Sequence, residues 1–223
     1  MVLQDRAKAT RGAIIVGAAQ VFEQHGFGTA SISLVAEAAQ VTKGALYFHF
    51  KSKDELAKAV LEEQHAIALA AGEIILAEKA PALETMIQLC GAFGALLAED
   101  LVMRAGIRLT LEASAFNQDV RKPYEDWIAT MGHLAGQAIE EGHIKPSVDP
   151  ATLSRYIVAS FTGVQMVSNV LTGREDVMMR IQQMWEILLS GIIHSASGLD
   201  PDRLAALIAR SHESIRPALG ASA

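Results

Sequence analysis

The chain has 223 residues, of which 51% are hydrophobic and about a tenth are Gly or Pro, and it carries a net charge of −6. That composition suits a folded globular protein and excludes an intrinsically disordered one. The longest apolar stretches, such as AIALAAGEIILA and EILLSGIIHSA, are broken by Glu, Gly or Ser well short of the roughly 20 residues a bilayer-spanning helix needs, so no membrane helix is predicted. The start, MVLQDRAKATR, is charged and is not followed by an apolar segment with a cleavage site, which reads as no signal peptide and, by default, a cytoplasmic location. The single cysteine, Cys90, excludes an internal disulfide and a multi-cysteine zinc site; within MIQLCGAFGALL it reads as a small core hydrophobe.

Charge is unevenly spread. Residues 1–60 hold seven Lys/Arg against five Asp/Glu, a balance of +2, whereas the remainder holds 12 against 20, a balance of −8. This asymmetry is expected where only the N-terminal part approaches a polyanion.

Strand signals are nearly absent, and the chain reads as all-α. A first helix is predicted from about residue 6 to 24, where Ile14, Ile15, Ala18, Ala19 and Phe22 recur at three- and four-residue spacing and Gly26 stands where a C-cap is expected. Gly17 inside it requires a packing reason or simple tolerance. A short second helix spans about 32–39, with Ser31 as N-cap. A third, of about two turns, follows a second N-cap at Thr42. Three short helices within fifty residues, the last two separated by a tight turn, form a helix-turn-helix arrangement. The segment SKDE then supplies a capping box, Ser52 with Glu55, for a long helix ending near Pro81. Further helices are predicted at about 82–98, 100–115, 120–141, 150–171 and 175–196, the fourth of these opened by Asp149-Pro150. The tail from Gly198 has one amphipathic stretch and then an end expected to fray.

The stretch VTKGALYFHF raises the functional question. On a helix starting at Thr42, Leu46 and Phe50 face inward, leaving Lys43, Gly44, Tyr47 and His49 elsewhere on the surface. Lys43 can reach a guanine edge or a phosphate, Gly44 permits close approach of the helix to a groove, and Tyr47 and His49 can hydrogen-bond phosphates. Phe48 packs either on a thymine methyl or sugar, or against the first helix. The competing reading makes Tyr47 and Phe48 partly buried core aromatics.

The order TRGAIIVGAAQVFEQHGF…SISLVAEAAQVTKGALYFHFKSKDEL, over about residues 6–60, resembles the DNA-binding domain of the TetR family of transcriptional repressors, with its Tyr-x-x-Phe-x-x-Lys pattern at Tyr47, Phe50 and Lys53. Two departures stand out: Gln40 occupies a turn position usually held by Gly, and Leu34 a position where an acidic residue is common. The resemblance implies that Lys43, Gly44, Tyr47, Phe48 and His49 meet the major groove or its phosphates, and that Ser31, Ser33, Thr42 and Lys53 hold the backbone of a double-stranded DNA operator. Lys53 also reads as an ordinary exposed helix lysine.

The segments VMRAGIRL, PYEDWI and MWEILLSGI extend the resemblance to the γ-butyrolactone receptor branch of that family. The implied architecture is a helix-turn-helix domain over 1–51 and a larger helical ligand-binding and dimerisation domain over 52–223, joined by the long helix. Trp127 matches the tryptophan lining the pocket of that branch. Gln64, Thr162 and Gln165 are polar residues at otherwise apolar helical positions, suited to orienting a ligand in an apolar cavity or to facing solvent or a dimer partner. Gly91, Gly94, Gly132 and Gly136 either leave cavity space or permit close helix packing. Two late segments, 150–171 and 175–196, have broad apolar faces suited to an isologous four-helix dimer interface.

The implied function is a dimeric repressor released from DNA by a γ-butyrolactone-like effector of lactone, butenolide or furan type. A pseudo-receptor answering to another small molecule, such as an antibiotic, is the alternative. An all-α enzyme lacks support: there is no H-E-x-x-H, G-x-S-x-G or Walker loop, the seven histidines show no metal-like pairing, and no cofactor is expected.

Overall fold

The computed structural model describes residues 2–113 and 120–219, and among these every regular element is a helix apart from one antiparallel bridge between Ile144 and Ile193. The helices are α1 (Val2–Thr29), α2 (Ile32–Ala38), α3 (Lys43–His49), α4 (Lys53–Ala77), α5 (Ala82–Glu99), α6 (Leu101–Leu111), α7 (Arg121–Glu140), α8 (Pro150–Thr172), α9 (Val177–Ile192), α10 (Pro201–Ala205) and α11 (Leu207–Leu219). The all-α expectation holds. Two differences from the sequence reading concern the ends of the chain's helical pattern. The first helix begins at Val2 and breaks at Gly26 (φ +72, ψ 172), where the C-cap is expected, and a short second helical stretch continues to Thr29. The tail expected to fray is helical as far as Leu219. The last residues of the helix predicted at 100–115, and the connection after it, lie outside the described residues, as does the chain beyond 219.

Two compact units emerge. The first comprises Met1–Ile67 with Asp100–Val120, the second Ala68–Glu99 with Arg121–Ala223. The sequence-based boundary after residue 51 precedes α4, whereas the division between compact units falls within α4. Physically, Leu56, Ala57, Ala59 and Val60 of α4 and Val102, Ala105 and Leu109 of α6 are buried in one cluster with Ile14, Phe22, Val35, Leu46 and Phe50.

Within the first unit, local capping sets the elements that matter. The Ser31 hydroxyl accepts from Leu34 N–H at 3.3 Å to start α2, and the Thr42 hydroxyl accepts from Ala45 N–H at 3.1 Å to start α3. Each such cap is worth about 1 kcal/mol. Gly17 has a packing reason, since a Cβ there would lie 2.7 Å from the Ala39 nitrogen where α1 crosses α2. The turn between α2 and α3 requires Gln40 at φ 54, a left-handed conformation that costs a side-chain-bearing residue about 1 kcal/mol.

In the second unit, α5 is the core helix. It is long and apolar enough to cross a membrane by composition, but 78% of it is buried among its neighbours. Cys90 is fully buried there, and burial pushes its thiol up to about 12, partly offset by the Trp185 side chain. Gly91 and Gly94 serve close packing. A Cβ at 91 would meet Ser211 Oγ of α11 at 2.7 Å, and one at 94 would meet Ile181 Cδ1 of α9 at 2.5 Å. Gly132 has only ordinary contact space, towards Ser154 at 3.4 Å, and Gly136 none within 4 Å.

Candidate nucleic-acid interface and effector site

α3 is seven residues long, and its buried side chain is Leu46, with Phe50 following as the C-cap and packing at 2% exposure. The remaining residues point outward. Thr42, Lys43 and Gly44 are exposed, Tyr47 is 47% exposed, Phe48 75%, and His49 half-buried. Of the two alternatives for Phe48, packing on α1 is therefore excluded. Its ring stands edge-on to His49, with centroids 5.1 Å apart at 88°. Nothing within 4 Å of a Cβ at Gly44 is closer than the Thr42 hydroxyl at 3.9 Å, so this face is open to a large partner. Ser31 and Ser33 are exposed at the start of α2, and both N-cap hydroxyls retain a proton to donate outward.

Lys53 is placed differently from its expected neighbours. Its ammonium donates to three carbonyls, Phe27 at 2.7 Å, Ala30 at 3.0 Å and Gly28 at 3.3 Å, and lies 4.4 Å from the Phe27 ring centroid. All three ammonium donors are thus committed within the chain. The capping box at α4 is also shifted: Glu55 N–H donates to the Ser52 hydroxyl at 3.1 Å as expected, but the Glu55 carboxylate accepts from Lys51 N–H rather than from Ser52.

Sequence reasoning missed Arg108 and Glu112, which hold the two sides of the α1 break. Arg108 Nη1 donates to the Glu23 carbonyl at 2.6 Å, capping the end of the helix before Gly26, while Glu112 Oε2 accepts from Phe27 N–H at 2.6 Å just after it. The two side chains pair with each other at 3.1 Å. A Cβ at Gly26 would sit 2.7 Å from the Glu112 carboxylate, so both the left-handed backbone and the clamp demand glycine there.

The four residues proposed for an effector divide between the two compact units. Gln64 belongs to the first unit, whereas Trp127, Thr162 and Gln165 belong to the second. Trp127 of α7 stacks on Phe93 of α5 (5.2 Å, 9°) and meets Phe161 of α8 edge-on (4.9 Å, 85°). Phe93 and Phe161 are additions to the sequence reading; both lie in apolar runs that mark them only as core. Gln165 follows Phe161 by one turn on the same face of α8 and is 2% exposed. Among the described residues, neither the Trp127 indole Nε1 nor the Gln165 Oε1 has a hydrogen-bond partner, and both atoms are buried. An unsatisfied buried donor and acceptor each cost about 1–3 kcal/mol, a cost that a ligand offering the complementary groups removes. Thr162 donates its hydroxyl back to the Val158 carbonyl at 2.8 Å and keeps only acceptor capacity. A separate cavity of about 520 Å³, between the end of α4, the start of α5 and the end of α7, is lined by Lys79, Thr85, Gln137, Glu140 and Glu141 among others and includes none of the four.

On α8 and α9 the exposed side chains are unusually apolar: Tyr156 (54%), Val170 (81%), Leu171 (64%), Met179 (52%) and Ile187 (73%). Their connection is fixed by Asp176, which accepts from the Ser168 hydroxyl at 2.6 Å and the Thr172 hydroxyl at 2.8 Å and pairs with Arg180 at 2.8 Å. Those hydroxyls, with the Arg180 charge, hold its carboxyl below the usual range. Among the described residues no three His, Cys, Asp or Glu side chains gather as a metal site.

Comparison with known proteins agrees with this geometry. Residues 14–60 match the family of bacterial regulatory proteins of the tetR type, and residues 80–194 match the tetracyclin repressor-like C-terminal domain. The A-factor receptor protein of Streptomyces griseus is 34% identical over 194 residues, covering 87% of this chain and 67% of that protein. A solved γ-butyrolactone receptor, an ArpA-like protein, superposes with a TM-score of 0.77 at 28% identity over 93% of this chain and 98% of its own. CprB from Streptomyces coelicolor, solved in complex with its biological operator sequence, gives a TM-score of 0.77 at 29% identity, again over 93% and 98%. The match of residues 14–60 and 80–194 to the two family models, with similarity to the A-factor receptor protein over 87% of the chain, establishes that the chain belongs to the tetR family of bacterial regulatory proteins.

Proposed function

We propose that the chain is a cytoplasmic, homodimeric repressor that binds a palindromic DNA operator through α3 and is released when a γ-butyrolactone-like molecule occupies its second unit. The observation that carries this reading is the outward face of α3. A seven-residue helix that exposes Phe48 to 75% and Tyr47 to 47%, beside Lys43 and Gly44, leaves large apolar rings in water that a DNA groove would cover. Thr42 and Ser31, with Ser33, supply hydroxyls to the backbone on either side.

The effector class follows from the relatives and from chemistry. A lactone carbonyl accepts from the Trp127 indole N–H, and an effector hydroxyl donates to the Gln165 amide oxygen, while Phe93 and Phe161 supply the apolar wall. The apolar exposed rows of α8 and α9 support a two-fold interface between copies of this chain. Dimerisation suits the function, because one short helix reads too few bases for a useful specificity ratio. Release requires that the effector bind the non-operator conformation more tightly; equal affinity for both would shift nothing. The relatives are regulators, and no catalytic step is assigned.

A mobility shift on the promoter region of the protein's own gene, with and without an organic extract of the producing culture, tests both halves. The expected result is a retarded band that Lys43→Ala and Tyr47→Ala abolish and that the extract dissolves. A band insensitive to lactones but dissolved by another purified compound, such as an antibiotic, replaces the effector class and keeps the repressor.

A further inference from the structure

We infer that Arg11, on α1 and outside the helix-turn-helix, is a second contact to the operator backbone, gripping a phosphate at the end of α3 opposite Lys43. The inference rests on the DNA-binding reading above. Arg11 is exposed, and its guanidinium carbon lies 5.2 Å from the centroid of the buried Phe50 ring, the residue that caps α3. The guanidinium itself therefore lies over the aromatic face while the residue as a whole stays exposed. Of the other arginines described in this unit, Arg104 pairs with Glu23 at 3.6 Å and Arg108 with Glu112 at 3.1 Å, while Arg6 is exposed more than a turn before Arg11, nearer the start of α1. Arg11 has no carboxylate partner among the described residues.

Geometry supplies the reason. Seven residues of α-helix span about 10 Å, close to the roughly 12 Å width of the major groove. A helix lying across that groove with Lys43 at one backbone therefore brings the Phe50 end, and Arg11 with it, to the other. A guanidinium already oriented by an aromatic face loses less freedom on taking a bidentate phosphate than a free lysine does. Lys8, exposed and three residues earlier on the same face of α1, extends the positive edge. Lys53, by contrast, is committed to Phe27, Gly28 and Ala30 carbonyls, so the backbone grip on this side falls to α1.

The test is the salt dependence of operator affinity for the full-length dimer, measured by fluorescence anisotropy between 50 and 300 mM KCl. Each phosphate neutralised contributes about 0.9 to the slope of log K against log salt. With two subunits on a palindrome, Arg11→Gln is expected to reduce that slope by about 1.8 and to weaken operator and non-specific duplex alike. Arg11→Lys is expected to keep the slope while losing part of the affinity, and Lys8→Gln to give a smaller decrease. Thermal melts of the same variants separate lost ring packing from lost contact. An Arg11→Gln protein that melts lower but keeps the wild-type slope overturns the inference, as does a loss confined to the operator. Wild-type protein that binds neither duplex overturns the DNA-binding reading itself, and this contact with it.

Discussion

Gln64 of α4 lies across Gly106 of α6 so closely that a Cβ on residue 106 would stand 2.4 Å from Gln64 Cγ and 2.6 Å from its Cβ. Gln64 is 8% exposed, and its aliphatic stem does the work of a core side chain where the two helices cross. Gly106→Ala is therefore expected to destabilise the first unit by about 1–3 kcal/mol, the usual cost of overpacking. Combining it with Gln64→Gly, which removes both the Cγ and the Cβ that crowd residue 106, should cost less than the sum of the two single losses, read as the coupling term of a double-mutant cycle in urea unfolding. Additive losses would show that the crossing relaxes without help from residue 64.

Lys53 acts as a cap on the carbonyls that follow the α1 break. Replacing it with Ala leaves three carbonyls at Phe27, Gly28 and Ala30 without their donor, which is expected to lower the melting temperature by several degrees, on the order of 1–2 kcal/mol. The salt slope of operator binding should not change. A slope reduced by one phosphate per subunit would return Lys53 to the DNA backbone.

For the effector site, Trp127→Phe preserves an aromatic ring between Phe93 and Phe161 but removes the unpartnered N–H. Effector affinity is expected to fall about tenfold, the worth of one hydrogen bond to a buried donor, with operator affinity of the unliganded protein unchanged. Titration by tryptophan fluorescence is complicated by the substitution itself, so calorimetry is the suitable measurement.

Asp176 ties α8 to α9, and the hydroxyls of Ser168 and Thr172 with Arg180 hold its carboxyl below the usual range. A carboxylate with a depressed folded-state pKa stabilises above its unfolded pKa, near 4, and that stabilisation is lost as pH falls through the folded value. Asp176→Asn should accordingly melt lower than wild type at pH 7, and the gap should narrow steadily below about pH 4. A gap that stays constant down to pH 3 would assign the effect to shape rather than charge.

What could be read from the chain follows the range of the interactions involved. Ser31, Thr42 and Asp149 declared the starts of α2, α3 and α8 because an N-cap acts within three residues of itself. The outward set on α3 was legible for the same reason, being fixed by helical period around Leu46 and Phe50. Lys53 and Glu112 were not legible, since their acceptors and donors lie 23 to 26 and 85 residues away in sequence. The membership of α6 in the first unit has the same cause: its pattern resembles any amphipathic helix, and only the folded chain shows Val102, Ala105 and Leu109 buried with α1. Gln165 announced itself as a polar residue in an apolar helix, but Phe93, in an apolar run, carried no signal of its stacking on Trp127.

The close approach of α11 to α5 bears on how relatives of this chain are free to diverge. Residues 80–194 match the C-terminal domain of the family, and α11 begins at Leu207, beyond that region. Yet Ser211 is fully buried, its hydroxyl donating to the Leu207 carbonyl at 2.9 Å, and it fills the space above Gly91 that any side chain would claim. Positions 91 and 211 are therefore linked as a pair. Homologues that shorten or redirect the tail are released from the need for glycine at 91, and those that carry a larger residue there must give up the helix that lies against it.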